Sequence, residues 1–450
     1  MSNMYDLIVI GAGMAGVAAA NKCGAAGWHV AIVDALPYGG TCALRGCDPK
    51  KILRRGAEIV DAARLLDGKG IDPAGLSINW SDLMAHKRGF TDPVPGKMEK
   101  GLKDNGVETL YGAARFTGDN TLEVDGKAYE ARCFLVAAGA IPRPVTFAGS
   151  DLMIDSTEFL NLEALPKRIL FLGGGFVSFE FAHIAARAGA APVIVDRGAR
   201  PLKSFDPDLV EMLVERSAHV GVEVQRKTEI VSISKYGAAF AVEVTSGSET
   251  RTVETDLVVH GAGRTAALTD LNLEAAGVDY GDKGIVVTPH LQSTTNSAIF
   301  AAGDSADTEG MPLTPVAVIE GKVAASNMLK DAQTAPDYAG IPTAVFTVPE
   351  LARVGMLEEE ATNAGHDVEF RFTDTSGWYS NYRIGEKSAA AKVLVGKSDG
   401  KILGAHLFGT EYGELINFFG LAIKLGLTAK QLKSMTAAYP SVGSDLGSLL

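Results

Sequence analysis

The first half of the chain alternates between short apolar runs and glycine-rich turns. The largely apolar run Asp6–Ile10 is typical of a strand buried in a parallel sheet. Three glycines follow at once, at Gly11, Gly13 and Gly16. A helical stretch then extends through Ala25, and a second strand, His29–Val33, ends at Asp34. This order of strand, glycine turn, helix and strand predicts a nucleotide-binding unit.

The chemistry of a dinucleotide explains this spacing. Small residues allow the backbone to approach a pyrophosphate, the helix N-terminus offers free N–H groups, and a carboxylate accepts from the ribose. Asp34 lies 18 residues beyond Gly16, which suits that last role. The alternative is an ordinary glycine-rich turn in a doubly wound sheet.

The same arrangement recurs about 160 residues later. The strand Arg168–Leu172 is followed by a run of glycines, Gly173, Gly174 and Gly175. Ser178 takes the place of the third glycine of the pattern, and a later strand, Pro192–Val195, ends at Asp196. Two dinucleotide sites in one chain imply two cofactors and electron transfer between them.

The remaining pattern predicts how the units are divided. A linker is expected to begin at Ile141, and the apolar segment Ile299–Asp304 predicts another buried strand. After Pro342 the pattern changes to alternating strands with one amphipathic helix, Gly413–Leu425. We expect an α/β protein with two doubly wound dinucleotide-binding domains and a C-terminal α+β domain. The predicted segments are 1–145 and 265–335 for the first domain, 146–264 for the second, and 336–450 for the last.

Composition excludes several classes of protein. The 450 residues include 54 acidic and 42 basic side chains, a net charge of −12, which disfavours a nucleic-acid partner. The apolar segment Leu7–Ala20 is interrupted by glycines, so neither a signal peptide nor a membrane span is expected, and we expect a cytoplasmic protein. The 51 glycines fit many tight turns, and four cysteines are too few for a disulfide scaffold.

The string Gly39–Lys51 contains the most informative pair of residues, Cys42 and Cys47. In a regular helix, cysteines five residues apart would have Cα atoms about 8.7 Å apart, beyond the roughly 7 Å that a disulfide allows. Any bridge between them therefore requires a distorted turn, which Gly46 would permit. Two buried thiols are the alternative, and spacing for a zinc site is absent, so no metal site is expected.

This string resembles the sequence GGTCxNxGCxPxK of the class I pyridine nucleotide–disulfide oxidoreductases, which include glutathione reductase, dihydrolipoamide dehydrogenase and mercuric reductase. The one departure is Leu44, where the family usually has Asn. Further segments that resemble the family are Ala137–Pro142, Gly261–Arg264, Ala302–Asp304, Leu313–Pro315 and Val345–Glu350. The last of these opens what resembles the family's interface domain.

The resemblance implies FAD on the first fingerprint and NAD(P)H on the second. The positions implied for FAD are Gly11, Gly13, Gly16, Asp34, Gly40, Thr41, Lys50, Gly139, Asp304, Thr314 and Ala317. Those implied for the nicotinamide nucleotide are Gly173, Gly175, Phe176, Asp196, Arg197, Lys203, Gly263 and Arg264. Phe176 takes the place of an aromatic gate over the nicotinamide pocket. Asp196 favours NADH, whereas the cations Arg197, Arg200 and Lys203 favour NADPH, which we expect.

The resemblance also implies the catalytic residues. Cys47 matches the thiol that contacts the flavin, and Cys42 matches the interchange thiol that attacks the substrate. Glu180 is expected to pair with Lys51 or Lys50; a surface lysine and a helix-start carboxylate are the alternative reading. Cys23 and Cys133 are expected to be buried structural thiols.

The C-terminal segment departs from the family. Thiol reductases of the family end with HPTxxE, whose His protonates a departing thiolate in the partner subunit's site, but Tyr439 stands at the His position and Ser444 at the Glu position, with Asp445 adjacent. A tyrosine with a pKa near 10 is a poor general base at neutral pH, although it can serve as an acid or donor. Mercuric reductases also carry Tyr here. His406 reads as a packed core residue.

We therefore expect a homodimeric FAD enzyme that passes electrons from NADPH, through the flavin and the Cys42–Cys47 disulfide, to a small disulfide or related sulfur substrate. Tyr439 would act in the neighbouring subunit. An NADH-linked dihydrolipoamide dehydrogenase and a mercuric reductase-like enzyme are the alternatives within the enzyme class. A flavoprotein subunit that binds a partner and has no turnover of its own is the competing class.

Overall fold

The structure is a computed structural model that describes residues 4–450. Its strands are β1 (Tyr5–Ile10), β2 (Val30–Asp34), β3 (Val107–Tyr111), β4 (Ala114–Gly118), β5 (Thr121–Val124), β6 (Lys127–Val136), β7 (Ala140–Pro142), β8 (Arg168–Leu172), β9 (Ala191–Asp196), β10 (Glu223–Arg226), β11 (Glu229–Tyr236), β12 (Ala239–Ser246), β13 (Glu249–Thr255), β14 (Leu257–His260), β15 (Arg264–Ala266), β16 (Tyr280–Gly281), β17 (Gly284–Val286), β18 (Ile299–Ala301), β19 (Ala306–Asp307), β20 (Thr343–Val345), β21 (Glu350–Gly355), β22 (Val368–Asp374), β23 (Ala390–Gly396) and β24 (Ile402–Gly409). Its helices are α1 (Met14–Ala25), α2 (Cys47–Leu65), α3 (Trp80–Thr91), α4 (Val94–Asp104), α5 (Ser156–Phe159), α6 (Phe176–Arg187), α7 (Pro207–His219), α8 (Thr314–Lys330), α9 (Glu358–Asn363), α10 (Tyr379–Tyr382), α11 (Tyr412–Lys424) and α12 (Ala429–Lys433).

The chain divides into two compact units. The first contains the residues up to Pro49 together with Lys87–Arg143 and Gly263–Tyr338, and the second contains Lys50–His86, Pro144–Ala262 and Ala339–Leu450. The predicted four-part division by cofactor, with boundaries after residues 145, 264 and 335, stays a prediction.

The first unit is built on a seven-stranded sheet in the order β3-β2-β1-β6-β5-β4, with β18 paired to β6. Strands β3, β2, β1, β6 and β18 are parallel, whereas β4 and β5 join β6 as an antiparallel meander. Strand β1 is buried along almost its whole length, which explains why its sequence is an almost continuous apolar run. The predicted linker at Ile141 is instead part of β7, which pairs antiparallel with β15.

The second unit contains three sheets. A parallel sheet in the order β10-β9-β8-β14 carries the second glycine turn, and β11, β12 and β13 form an antiparallel sheet. The C-terminal part is an antiparallel sheet in the order β20-β21-β24-β23-β22. Helix α11 packs on it through residues spaced three or four apart: Tyr412, Leu415, Ile416, Phe419 and Ala422. The predicted α/β class with a C-terminal α+β part is confirmed.

Within residues 4–450, no helix is both long and apolar enough to cross a membrane.

Candidate functional site: two glycine cradles and a dithiol turn

The first glycine turn has the geometry of a dinucleotide cradle. A Cβ on Gly11 would lie 2.2 Å from the Ala137 carbonyl oxygen, and one on Gly16 would lie 2.0 Å from the Gly11 oxygen. Both glycines are therefore required for close packing of the turn. Gly13 faces open space instead, because a Cβ there would meet only the Gly40 Cα, at 4.0 Å. Within the described residues, no side chain caps α1 at Gly13, so its first N–H groups can receive a phosphate.

Asp34 lies at the carboxyl end of β2, beside this turn. Its Oδ2 accepts the Ala12 N–H at 2.8 Å and its Oδ1 accepts the Leu36 N–H at 2.8 Å. A carboxylate has about four acceptor positions, so both oxygens keep capacity for a ribose hydroxyl. The open glycine face, the uncapped helix and this carboxylate together fit the adenosine diphosphate part of FAD.

The two cysteines of the redox string are joined by an irregular turn. Residues Thr41–Arg45 form a π-helical turn, and Gly46 then breaks the backbone with φ −152° and ψ −107° before α2 begins at Cys47. A Cβ on Gly46 would lie 2.9 Å from the Thr41 carbonyl oxygen, so only glycine fits there without a shift. This is the distortion that the spacing of the cysteines requires.

The turn brings the Cys42 and Cys47 thiols into hydrogen-bonding contact. Neither cysteine is bridged to another residue in the structure; Cys42 is half-buried and Cys47 is exposed. The hydrogen bond with Cys47 and burial raise the pKa of Cys42 well above its ordinary value, and a hydrogen bond with the Thr314 hydroxyl opposes this rise. The Thr314 hydroxyl also lies 3.7 Å from the Cys47 sulfur, in the first turn of α8.

Two more predicted flavin residues, Gly139 and Asp304, lie near the end of β18. Gly139, with φ +74°, donates its N–H to the Ser305 hydroxyl at 2.9 Å, directly beside Asp304. Burial raises the pKa of Asp304, and the charge of Arg264 opposes this effect. Arg264 also donates to the Ala140 carbonyl, which ties β15 to β7.

Three further predicted positions, Ala317, Gly40 and Thr41, also lie in the first unit. A Cβ on Gly303 would lie 3.2 Å from the Ala317 Cβ, so the small residue Ala317 permits the close approach of α8. Gly40, with φ +64°, approaches Gly13 so closely that a Cβ on it would lie 2.5 Å from the Gly13 Cα. Thr41 is exposed immediately after it.

The second glycine turn repeats the first cradle within the second unit. A Cβ on Gly173 would lie 2.7 Å from the Ala262 Cα, whereas one on Gly175 would meet the Gly261 oxygen only at 3.4 Å. Helix α6 begins at Phe176, whose ring is 48% exposed, and within the described residues no side chain caps the helix at Gly175. These features fit the pyrophosphate of a nicotinamide nucleotide.

The acidic and basic residues that the sequence predicts for the ribose of the nicotinamide nucleotide lie at the end of β9 and just after it. Asp196 approaches the turn so closely that a Cβ on Gly174 would lie 2.7 Å from its Oδ2. Arg197 and Lys203 are exposed, and Arg200 donates to the Lys203 carbonyl at 3.0 Å. One carboxylate and two exposed cations therefore lie at the end of β9 and in the segment that follows it.

Glu180 forms ion pairs with both Lys50 and Lys51, which the sequence predicts as alternative partners. Its Oε2 lies 3.0 Å from Lys50 Nζ and 2.9 Å from Lys51 Nζ, and its Oε1 accepts the Phe346 N–H at 3.1 Å. Burial alone would raise the pKa of Glu180, but the two ammonium groups and these hydrogen bonds lower it to about 2. Lys50 is buried with its Nζ 5.0 Å from the Phe176 ring centroid, whereas the Lys51 side chain is 32% exposed. The contact with Phe346 was not predicted.

Tyr439 is 84% exposed in the single chain. Asp445 accepts a hydrogen bond from the Ser380 hydroxyl, and burial raises its pKa despite the charge of Arg383. His406 is fully buried, its Nε2 lies 3.0 Å from the Met356 carbonyl oxygen, and burial lowers its pKa to about 4. The prediction of a packed core histidine is thus confirmed.

The other two cysteines lie apart from the dithiol turn in sequence and differ in burial. Cys23 is fully buried on α1, as expected, and burial raises its pKa to about 12. Cys133 is only partly buried, so the expectation of a second buried thiol was wrong: it lies at the edge of the core around α1. Within residues 4–450, no cluster of three or more His, Cys, Asp or Glu side chains could hold a metal ion.

Comparison with known families gives two matches that together span most of the chain. Residues 5–321 match the family described as pyridine nucleotide-disulphide oxidoreductase. Residues 341–448 match the dimerisation domain of the same family.

Individual relatives are similar to this chain over almost its whole length. A glutathione reductase from Burkholderia cepacia is 30% identical over 445 residues, which cover 99% of this chain and 98% of that protein. A mercuric reductase from Bacillus cereus is 29% identical, with 98% of this chain and 70% of that protein covered. Among solved structures, the HOCl-induced flavoprotein disulfide reductase RclA from Escherichia coli is similar with a TM-score of 0.88 at 26% identity, covering 99% of both chains. A Cu(II) complex of RclA is similar to the same degree at 25% identity.

Proposed function

This chain belongs to the pyridine nucleotide-disulphide oxidoreductase family, and from that premise we propose that it uses NADPH to reduce a small disulfide through Cys42 and Cys47. Enzymes of this family are flavin-dependent, contain FAD and use NAD(P)H. FAD, when bound, supplies a two-electron carrier between the nicotinamide and the thiol pair. The dimerisation domain supports a homodimer.

The observation that carries the proposal is the contact between the two thiols. The irregular turn at Thr41–Arg45 places Cys42 and Cys47 within hydrogen-bonding reach of one another, and Thr314 contacts both. A pair of thiols in contact can close to a disulfide and reopen without a large movement of the backbone. Two thiols that served only packing would not need this break in the helix.

The shift in pKa suggests how the two thiols divide the work. The hydrogen bond with Cys47 and burial raise the pKa of Cys42, so the two thiols share their protons and Cys42 keeps its proton to higher pH than an ordinary thiol. Cys42 then needs to lose a proton before it attacks a substrate sulfur, since the thiolate is the nucleophile. We propose that this proton transfer limits turnover near neutral pH.

The exchange with the substrate proceeds in two steps. The Cys42 thiolate attacks one sulfur of the substrate disulfide, forms a mixed disulfide and releases the first half of the substrate as a thiolate. The Cys47 thiolate then attacks the Cys42 sulfur, restores the Cys42–Cys47 disulfide and releases the second half. The two protons of the original dithiol end on the two released thiols, so atoms and electrons balance.

Tyr439 is proposed to donate a proton to the first departing thiolate, in the site of the other subunit, and to be reprotonated from solvent, which has taken up the proton lost by Cys42. Its high exposure in the single chain suits a side chain that acts across a dimer interface, and a phenol is a competent acid though a poor base. The buried His406 has no such access.

NADPH is proposed as the reductant because Arg197 and Lys203 are both exposed beside the end of β9. Asp196 opposes a 2′-phosphate and favours NADH, so the balance of these charges is decisive. We expect the double substitution of Arg197 and Lys203 by Ala to raise the KM for NADPH by about tenfold and to leave the KM for NADH unchanged. Equal KM changes for both nucleotides would contradict NADPH preference.

A panel assay tests the substrate class. Glutathione disulfide, lipoamide, other low-molecular-weight disulfides, quinones and Hg(II) are each supplied with NADPH or NADH, and turnover is followed by nucleotide oxidation. We expect turnover with at least one disulfide and loss of that turnover in Cys42→Ser. Turnover of quinones alone, unaffected by Cys42→Ser, would contradict a disulfide substrate.

Reduction of a soft metal ion is the second candidate. Two thiols in contact form a ligand pair suited to such an ion, and relatives of this chain include mercuric reductases. Tyr439 at the position of the usual His also fits a substrate that needs no proton transfer. Turnover of Hg(II) that requires Cys42 and Cys47 but survives Tyr439→Phe would favour this candidate over disulfide reduction.

A further inference from the structure

Helix α8 carries a buried carboxylate that has no part in the proposed thiol chemistry. Glu320 is 1% exposed, and all its described hydrogen bonds lie within the first unit. Its Oε2 accepts the Gly303 N–H at 2.6 Å. Its Oε1 accepts the Thr308 hydroxyl at 2.8 Å and the Tyr338 hydroxyl at 2.6 Å.

Two of these contacts hold the ends of one short loop. Gly303 and Thr308 flank a segment between β18 and α8 that contains Asp304, Ser305 and the two residues of β19. Ser305 in turn accepts the Gly139 N–H at 2.9 Å. One carboxylate therefore fixes the loop that presents Asp304, a residue expected to contact FAD.

The surroundings leave Glu320 little freedom to move. A Cβ on Gly310 would lie 2.9 Å from its Oε1, and a Cβ on the adjacent Gly321 would lie 2.3 Å from the Ala15 carbonyl oxygen. Helix α8 is thus pressed against α1, the helix of the first glycine cradle. Burial raises the pKa of Glu320, an effect that the Asp304 charge increases and the three hydrogen-bond donors oppose.

We propose that Glu320 is a positioning residue of the flavin site, which sets the Asp304 loop through its hydrogen bonds to Gly303 and Thr308 and so slows the release of FAD. Burying a carboxylate on a helix is costly unless its acceptors are used. Here each oxygen is used on the loop or on Tyr338.

Asn327 on the same helix provides a matched control. It is 3% exposed and also makes three hydrogen bonds, donating to the His290 and Thr334 carbonyls and accepting the Thr334 N–H. None of these partners belongs to the loop between Gly303 and Thr308. Asn327→Ala therefore removes a similar number of buried hydrogen bonds from α8 without touching that loop.

The experiment measures FAD release from the purified holoenzyme. Each protein is diluted, and the rate of FAD dissociation is followed by the recovery of free flavin fluorescence, with no substrate present. The urea midpoint in excess FAD reports overall stability. We expect Glu320→Ala to raise the dissociation rate by about tenfold. Glu320→Gln, which retains an acceptor for the Gly303 N–H, is expected to stay within about threefold of wild type, and Asn327→Ala within about twofold at a comparable loss of stability.

Three results would overturn the proposal: no change in Glu320→Ala, equal acceleration in Asn327→Ala, or a Glu320→Gln rate equal to that of Glu320→Ala. If Glu320→Ala does not fold, Thr308→Val removes one hydroxyl at similar side-chain shape and is expected to accelerate release by about threefold. An unchanged rate in Thr308→Val would then overturn it. Because no disulfide substrate is used, failure here leaves the proposed thiol reaction unaffected.

Discussion

The hydroxyl oxygen of Thr314 lies 3.7 Å from the sulfur of Cys47, and it also hydrogen-bonds the Cys42 thiol. One hydroxyl in the first turn of α8 thus contacts both members of the pair. Hydrogen bonding to the charged form of an acid lowers its pKa, and here the Thr314 contact opposes the rise in the pKa of Cys42.

The first prediction follows from this contact. Thr314→Val removes the hydroxyl at similar shape, so the pKa of Cys42 rises further, and its alkylation by iodoacetamide at pH 8 slows by about threefold to tenfold. Thr314→Ser keeps the hydroxyl and is expected to react at nearly the wild-type rate. The rates are measured by mass spectrometry on anaerobically reduced protein. Equal slowing in both variants would exclude the hydroxyl as the cause.

The second prediction concerns the partner thiol. Cys47→Ala removes the hydrogen bond that contributes most to the raised pKa of Cys42, so alkylation of Cys42 at pH 7.5 accelerates by about tenfold. Cys23 serves as an internal control, because its burial should keep it unreactive in both proteins. If Cys42 reacts no faster in Cys47→Ala, the two thiols do not share their protons as described.

The third prediction tests the buried charge of Glu180. Breaking a buried ion pair costs about 3–5 kcal/mol of unfolding free energy, so Glu180→Gln is strongly destabilised at pH 7 in urea unfolding. The pKa of Glu180 falls from an ordinary 4.5 to about 2 in the folded chain. Its stabilisation is therefore complete above about pH 4.5 and is lost as the pH falls toward 2. The gap in stability between wild type and Glu180→Gln should narrow over that range.

A matched variant accompanies this measurement. The Lys51 side chain is 32% exposed and Lys50 remains on Glu180 when Lys51 is removed, so Lys51→Met should cost less than Glu180→Gln. A gap between wild type and Glu180→Gln that is constant from pH 7 to pH 2 would show that Glu180 carries no depressed pKa.

Local pattern predicted the strands and helices of both cradles closely, because strands buried in a parallel sheet read as apolar runs ended by glycine turns. It also located the distorted turn, since two cysteines five residues apart cannot be bridged on a regular helix. The sequence could not show that Glu180 binds both lysines and the Phe346 N–H. Such contacts join segments far apart in the chain, and the same is true of Glu320 and the loop at Gly303.

The fourth prediction concerns Tyr439. If its phenol protonates the departing thiolate, Tyr439→Phe slows steady-state turnover of a disulfide by about 10²-fold or more while reduction of the bound flavin by NADPH keeps its wild-type rate. Stopped-flow absorbance separates the two steps. Tyr439→His, which restores the side chain usual in the family's thiol reductases, should retain more turnover than Tyr439→Phe. Unaltered turnover in Tyr439→Phe would remove this residue from the reaction.

The central claim is that NADPH reduces the Cys42–Cys47 disulfide, and an anaerobic titration of the oxidised enzyme tests it most directly. Thiols accessible to a colorimetric reagent are counted as NADPH is added, alongside the flavin spectrum. The account predicts two new thiols per subunit after one equivalent of NADPH, accompanied by a long-wavelength thiolate band that is absent in Cys47→Ser. A flavin spectrum unchanged by both NADPH and NADH, or a reduced flavin with no new thiols, would contradict it.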